Sequence, residues 1–233
     1  MEFTISPLGD QAILLEFGGS VFLEAERKIR TVTSVLDVQK PAWLVEYIPS
    51  YTSVTILYTV QGLSKEHLPY DAVCLEVQRL FHLIEPYELQ DRRTIRIPVL
   101  YGGESGPDLT AVAELNGLTE EDVIDIHTSG IYTVQMLGFA PGFPFLAGMS
   151  PRIAAPRRSN PRLQIPPRSV GIAGGQTGIY PIETPGGWQL IGKTPMELFL
   201  PEETPPSLLR SGDQLTFFSI TTEQYEQYRE GNV

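Results

Sequence analysis

Glycine and proline are spread unevenly along this chain, and that unevenness limits the folds open to it more than any other feature. Both are sparse up to about residue 92, whereas residues 141–206 are crowded with them in strings such as "APGFPF", "IPPRS" and "TPGGW". Helix interiors tolerate neither residue well, so the longer helices are expected before the crowded stretch and short, turn-bounded strands within it. Two domains follow: a small α+β domain over residues 1–90 and a mainly-β domain over residues 91–233. A chain of 233 residues is long enough for both, burying about 70 % of the surface its unfolded form exposes.

The first part alternates strands and helices. "AILLEF" is strand-like, and after it Phe22, Ala25, Ile29, Val32 and Leu36 fall near helical spacing. "AWLVEYI" and "SVTILYT" flank the turn residues Pro49, Ser50 and Tyr51, which predicts a hairpin. Leu68, Ala72, Leu75 and Leu80 mark a second helix, and "TIRIPVL" is the next strand. The order β-α-β-β-α-β is ferredoxin-like, although the last strand is assigned to the second domain.

Beyond "YGGESGPDL" the pattern predicts two short helices, at 109–116 and 120–127. Gly117 stops the first, and Thr119 with Asp122 forms a capping box for the second. The short apolar runs that follow, among them "YTVQMLGFA", "VGIAG", "GIYPI", "WQLIG" and "QLTFFSI", predict a sandwich or barrel. "TTEQYEQYRE" reads as a final surface helix.

Inside the β-rich part, "GWQLIGKT" fits the spacing of a nucleotide-binding P-loop. Such a loop follows a buried strand and runs straight into a helix whose N-terminus faces the phosphates. Here "IETPGG" precedes the match and Pro195 follows it, while Trp188 to Ile191 have strand character. The segment is therefore expected to be a turn and a barrel strand. "GIAGGQTGIYP" is likewise out of register for a dinucleotide fingerprint. Its four glycines suit either a plain hairpin turn or a close ligand approach, with Gln176 and Thr177 offering polar groups at the tip.

A formal net charge of -11 argues against a nucleic-acid partner. No apolar run approaches membrane-spanning length. The single cysteine, Cys74, excludes an internal disulfide, and with no leader pattern in the opening residues a cytoplasmic location is expected. His67, His82 and His127 have no metal-ligand spacing, so no metal site is expected. His67 and His82 read as solvent-facing. His127 closes a helix, where it serves either as a cationic partner of the helix dipole or as a general acid/base. Arg152, Arg157, Arg158, Arg162 and Arg168 crowd one stretch of an acidic chain, which suits either an anion site or a solvated loop paired with carboxylates.

Several strings carry a family resemblance. "SPLGDQAILLEFG", "YGGESGPDL", "GFAPGFPFLAGM", "SVGIAGGQTGIYPIETPGGWQLIGKTP" and "LLRSGDQLTFF" resemble allophanate hydrolase subunit 1 proteins over nearly the whole chain. Two departures stand out: Pro167-Arg168 where small residues are usual, and Lys193 where arginine is common. The resemblance implies that the β-rich domain is a cyclophilin-like barrel. It also implies the role of the B component in an ATP-dependent 5-oxoprolinase, working with the C and A components of that complex to hydrolyse 5-oxoproline to glutamate with ATP as cosubstrate. On that reading His127 and Lys193 are the catalytic candidates, and Arg157, Arg158, Arg168, Gln176 and Thr177 bind substrate or anion in one polar site. The alternative is a protein-binding module that inhibits a sporulation histidine kinase, with Phe139, Phe143 and Phe145 exposed to the partner.

Overall fold

A computed structural model of the protein describes residues 2–18, 22–82 and 93–231. The chain divides into two compact units, Met1–Asp91 and Arg92–Val233.

In the first unit the order is β1 (Thr4–Pro7), β2 (Ala12–Glu16), α1 (Phe22–Gln39), β3 (Leu44–Pro49), β4 (Ser53–Tyr58) and α2 (Pro69–His82). The strands form an antiparallel sheet in the order β1-β2-β4-β3. The expected hairpin is β3–β4. β1 is an addition to the expected pattern: it is short, contains Pro7, and occupies the sheet edge beside β2 that the last strand of a ferredoxin-like unit would take. Four residues separate β1 from β2, so its closure costs little entropy.

Ile13 and Leu15 of β2, Val54 and Ile56 of β4, and Ile29, Val32 and Leu36 of α1 share one core. On α2 the buried stripe is Val73, Val77 and Phe81, with Ala72 also buried. Leu68 and Leu75, expected on that face, are 72 % and 49 % exposed. The true stripe keeps strict i, i+4 spacing, whereas leucine content alone points to the wrong side of the helix. His67 is exposed, and the side chain of His82 lies outside the described residues.

The second unit runs β5 (Thr94–Tyr101), α3 (Leu109–Asn116), α4 (Glu120–Ser129), β6 (Tyr132–Leu137), β7 (Pro144–Ala147), a 3-10 turn (Pro151–Ile153), β8 (Arg162–Ile165), β9 (Ser169–Ala173), β10 (Gln176–Ile179), β11 (Thr184–Gly186), β12 (Gln189–Lys193), β13 (Gln214–Ser219) and α5 (Thr222–Arg229). Seven strands close a barrel in the order β10-β7-β6-β13-β5-β12-β9, while β8 and β11 form a separate ribbon. This closed barrel is compatible with the cyclophilin-like architecture. All of its strand pairs are antiparallel except β13 with β5.

Local chemistry sets the helix limits. Gly117 ends α3 at φ 64°, and the Thr119–Asp122 capping box opens α4. α5 is mostly solvated but buries Tyr225. The barrel core is aliphatic and aromatic, with Ile97, Val134, Leu146, Ile172, Ile191 and Leu215 all essentially inaccessible.

Candidate functional site

A second apolar cluster lies apart from the barrel core. Phe143, Ile165, Tyr180, Trp188 and Leu190 pack together with Ala140 and Ala173. Close packing there depends on glycine at two strand positions. A Cβ on Gly178 would stand 3.0 Å from both the Phe143 and Trp188 rings, and one on Gly171 would meet Trp188 Cβ at 3.2 Å. Of the four hairpin glycines only Gly174 adopts a positive φ, 58°, so the motif is a turn flanked by two packing positions. Gln176, half-buried, begins β10.

The rings of this cluster enclose a cavity of about 130 Å³ lined by Phe139, Phe143, Phe145, Arg157, Tyr180, Trp188 and residues 185–187. Phe143 is the hub, with edge-to-face contacts to Phe139 at 5.5 Å, Tyr180 at 5.1 Å and Trp188 at 5.5 Å. Phe139 stands at the rim, 66 % exposed and at φ 72°, a conformation that a bulky residue adopts only at a cost. Of the three phenylalanines expected at a partner surface, Phe143 is instead buried and Phe145 half-buried. Arg157 is exposed and makes no hydrogen bond or ion pair among the described residues. Burial pushes the Tyr180 hydroxyl up to about 12, against the Trp188 N–H and the charges of Arg157 and Arg162, so it is neutral at physiological pH. The pocket therefore offers aromatic faces, one neutral phenol and one unpaired guanidinium.

The five clustered arginines do not all converge on one site. Arg152 lies close enough for its charge to act on Asp122, Arg157 is at the aromatic pocket, and Arg168 pairs with Glu197 at 2.9 Å. Arg158 and Arg162 both reach Asp108, at 2.8 Å and 2.7 Å. Asp108 also accepts the Leu190 N–H at 2.7 Å and is 4 % exposed. Burial pushes its carboxyl up, but the Arg162 hydrogen bond, the Leu190 N–H and the two guanidinium charges outweigh that and leave it lowered. This junction braces the pocket wall, since Arg158 N donates to Gly187 O at 2.7 Å and Gln189 Nε2 to Pro156 O at 2.9 Å. Nothing in the local sequence singles out Asp108. It precedes α3 without capping it through its side chain, and its partners lie 50 and 54 residues away.

His127 is fully buried and tied to four strands. It stacks on Phe217 of β13 at 4.4 Å and lies 5.4 Å from the Tyr132 ring of β6. Its Nδ1 is 2.7 Å from Tyr101 Oη of β5, and its Nε2 is 3.0 Å from Thr177 Oγ1 of β10. The Thr177 hydroxyl donates to Gly171 O at 3.0 Å, so its oxygen accepts from Nε2–H and the Tyr101 hydroxyl donates to Nδ1. Both nitrogens are committed. Burial lowers the imidazole to about 3, so the ring is neutral and desolvation overrides the helix-end field. Neither the cationic dipole partner nor the general acid/base fits this arrangement; His127 and Thr177 together tie the barrel.

"GWQLIGKT" contributes β12, paired with β5 and β9, and no helix follows it. It is no phosphate loop. Lys193 ends this strand, half-buried. Among the described residues no group of three His, Cys, Asp or Glu side chains could hold a metal ion, and no helix is long and apolar enough to cross a membrane.

Residues 3–209 match the family profile described as carboxyltransferase domain, subdomain C and D. The chain belongs to that family. Within it, this carboxyltransferase-domain chain is 50 % identical to a Bacillus subtilis (strain 168) protein named as the B subunit of 5-oxoprolinase, with 99 % of this chain and 98 % of the relative covered. A protein of the same name from Escherichia coli O157:H7 is 42 % identical, with coverage of 90 % and 93 %. The crystal structure of TTHA0988 superposes with a TM-score of 0.76 at 34 % identity, covering 91 % of this chain but only 40 % of that longer polypeptide.

Proposed function

We propose that the chain is the B component of an ATP-dependent 5-oxoprolinase, working with the C and A components to convert 5-oxo-L-proline, ATP and two waters to L-glutamate, ADP and inorganic phosphate. The observation that carries this reading is the end-to-end likeness, at 50 % identity, to a protein named as the B subunit of 5-oxoprolinase. No nucleotide step is assigned to this chain, because the one segment with P-loop spacing is a barrel strand and cannot wrap phosphates in backbone N–H groups.

The aromatic pocket is the proposed substrate position. 5-Oxoproline is a small flat lactam bearing one carboxylate. Its ring would lie against Phe143 and Trp188, and Arg157, with no protein partner of its own among the described residues, would hold the carboxylate through a charge-assisted pair. Phe139 would shield the ring from water. The Tyr180 hydroxyl, kept neutral by burial, would serve as a hydrogen-bonding group rather than a base.

The test is to assemble the chain with the C and A components and measure 5-oxoproline-dependent ATP hydrolysis. Arg157→Ala is expected to raise KM for 5-oxoproline by about tenfold or more with a smaller change in kcat, as loss of a charge-assisted contact would do. Arg157→Lys should recover part of that loss. An unchanged KM in Arg157→Ala would remove the pocket from the mechanism. Failure to assemble with the C component would remove the function.

A further inference from the structure

The turn between β6 and β7 places a phenylalanine where a glycine would sit without strain. Phe139 stands at φ 72°, a left-handed conformation that a residue bearing a Cβ adopts only at a cost. The turn around it is pinned. Gly138 N donates to Phe143 O at 3.1 Å and Phe143 N to Ala140 O at 3.0 Å, while a Cβ on Gly142 would stand 3.0 Å from Phe199 Cβ. The Phe139 ring therefore moves by rotation of its own side chain rather than by a swing of the loop.

Burial in the free chain does not offset the strain. The ring is 66 % exposed, and its contacts are edge-to-face with Phe143 at 5.5 Å and Tyr180 at 6.5 Å, both of which line the same cavity. A strained residue whose aromatic face stays in water gains its burial when a ligand fills the space beside it. That space is small. Its volume is about 130 Å³, close to the ~150 Å³ that takes one benzene ring and well below the ~300 Å³ at which pockets for larger ligands begin. Aromatic faces bound it and Arg157 supplies positive charge, so it accepts one small ring with an anionic substituent and has no room for a nucleotide.

We propose that Phe139 is the specificity-determining residue of this pocket, closing over a five-membered lactam carboxylate and excluding the six-membered lactam that carries one more methylene. The inference rests on the 5-oxoproline reading of the pocket and adds to it the residue that sets ring size. A larger ring forces Phe139 outward, breaks its contacts with Phe143 and Tyr180, and leaves the ligand open to water. Apolar pockets discriminate one methylene by roughly 10- to 200-fold.

The full chain is titrated by calorimetry with 5-oxo-L-proline and with the six-membered lactam carboxylate, as wild type, Phe139→Leu and Phe139→Gly. Wild type is expected to favour the five-membered ring by about tenfold or more. Phe139→Leu, which keeps bulk over the pocket, should retain most of that preference. Phe139→Gly should bring the two ligands within about threefold of each other, chiefly by binding the larger ring better. Its unfolding temperature should hold, because glycine takes this backbone conformation without strain; a merely structural role would weaken both ligands together. The same ratio is expected in kcat/KM once the C and A components are added. Equal wild-type affinity for the two rings, or a Phe139→Gly preference equal to that of wild type, would overturn the gate and leave the 5-oxoproline reading standing. Absence of 5-oxoproline binding to wild type, alone and in the assembled complex, would remove that reading and the gate with it.

Discussion

Acidification from pH 7 to pH 5 is expected to cost the barrel about 2 kcal/mol through His127 alone. The imidazole lies at about 3 when folded against 6.5 for an ordinary histidine. Below pH 6.5 the unfolded chain takes up a proton that the folded barrel refuses. Stability therefore falls with falling pH between 6.5 and about 3, with a slope approaching ~1.4 kcal/mol per pH unit. His127→Gln keeps an amide that can bond Thr177 but removes the titration. It should start less stable and show a flatter slope between pH 6.5 and 5. His127→Ala should cost roughly 3–5 kcal/mol at pH 7, because it opens a cavity beside Phe217 and leaves the Tyr101 and Thr177 hydroxyls short of a partner. Urea unfolding across this pH range checks both outcomes; parallel slopes for wild type and His127→Gln would show that the histidine is protonated in the fold.

Asp108→Ala is the second large effect expected, roughly 3 kcal/mol of stability. The carboxylate sits between Arg158 and Arg162 and accepts the Leu190 N–H, so its removal orphans a buried N–H and leaves two guanidiniums facing each other. Those side chains are 36 % and 25 % exposed and can turn toward water, which keeps the cost below that of a fully buried pair. Asp108→Asn, which retains an acceptor, should lose about half as much. Since the lowered carboxyl contributes above its unfolded value near 3.8, this contribution fades only as pH falls below about 4, distinct from the His127 window. Limited trypsin digestion reads the same junction locally: cleavage after Arg157 or Arg158 should be about tenfold faster in Asp108→Asn if the segment opens by local unfolding. Equal cleavage rates would mean that Asp108 does not hold the pocket wall.

These two residues mark where the sequence is readable and where it is not. α1, the β3–β4 hairpin and the α4 capping box follow from local spacing, because each is specified by residues within a few positions of one another. The barrel strands follow from apolar runs between turns. His127 is visible in the sequence only as a helix-end residue; that it plugs the barrel depends on Tyr101, Thr177 and Phe217, brought together by closure. The arginine cluster misleads for the same reason. Proximity in sequence places five cations together, whereas the fold sends Arg168 to Glu197, leaves Arg157 at the aromatic pocket, and brings Arg158 and Arg162 to one acidic residue far away in the chain. The aromatic pocket is half legible: its phenylalanines stand out, but not that Gly171 and Gly178 leave room for Trp188 and Phe143 to pack across the strands.

The parallel pairing of β5 with β13 bears on how the molecule comes into being. β13 joins β6 on one side and β5 on the other, so the first and last strands of the unit form its seam, with 120 residues between Arg93 and Asp213, whose side chains bridge there. On the ribosome the earlier strands emerge first and must wait with two unpaired edges until the last strand clears the exit tunnel. Long-range pairing of this kind slows folding and prolongs the exposure of sticky intermediates. A chain stopped before residue 214 is therefore expected to hold an open sheet, with β5 and β6 as unpaired edges, rather than a closed barrel.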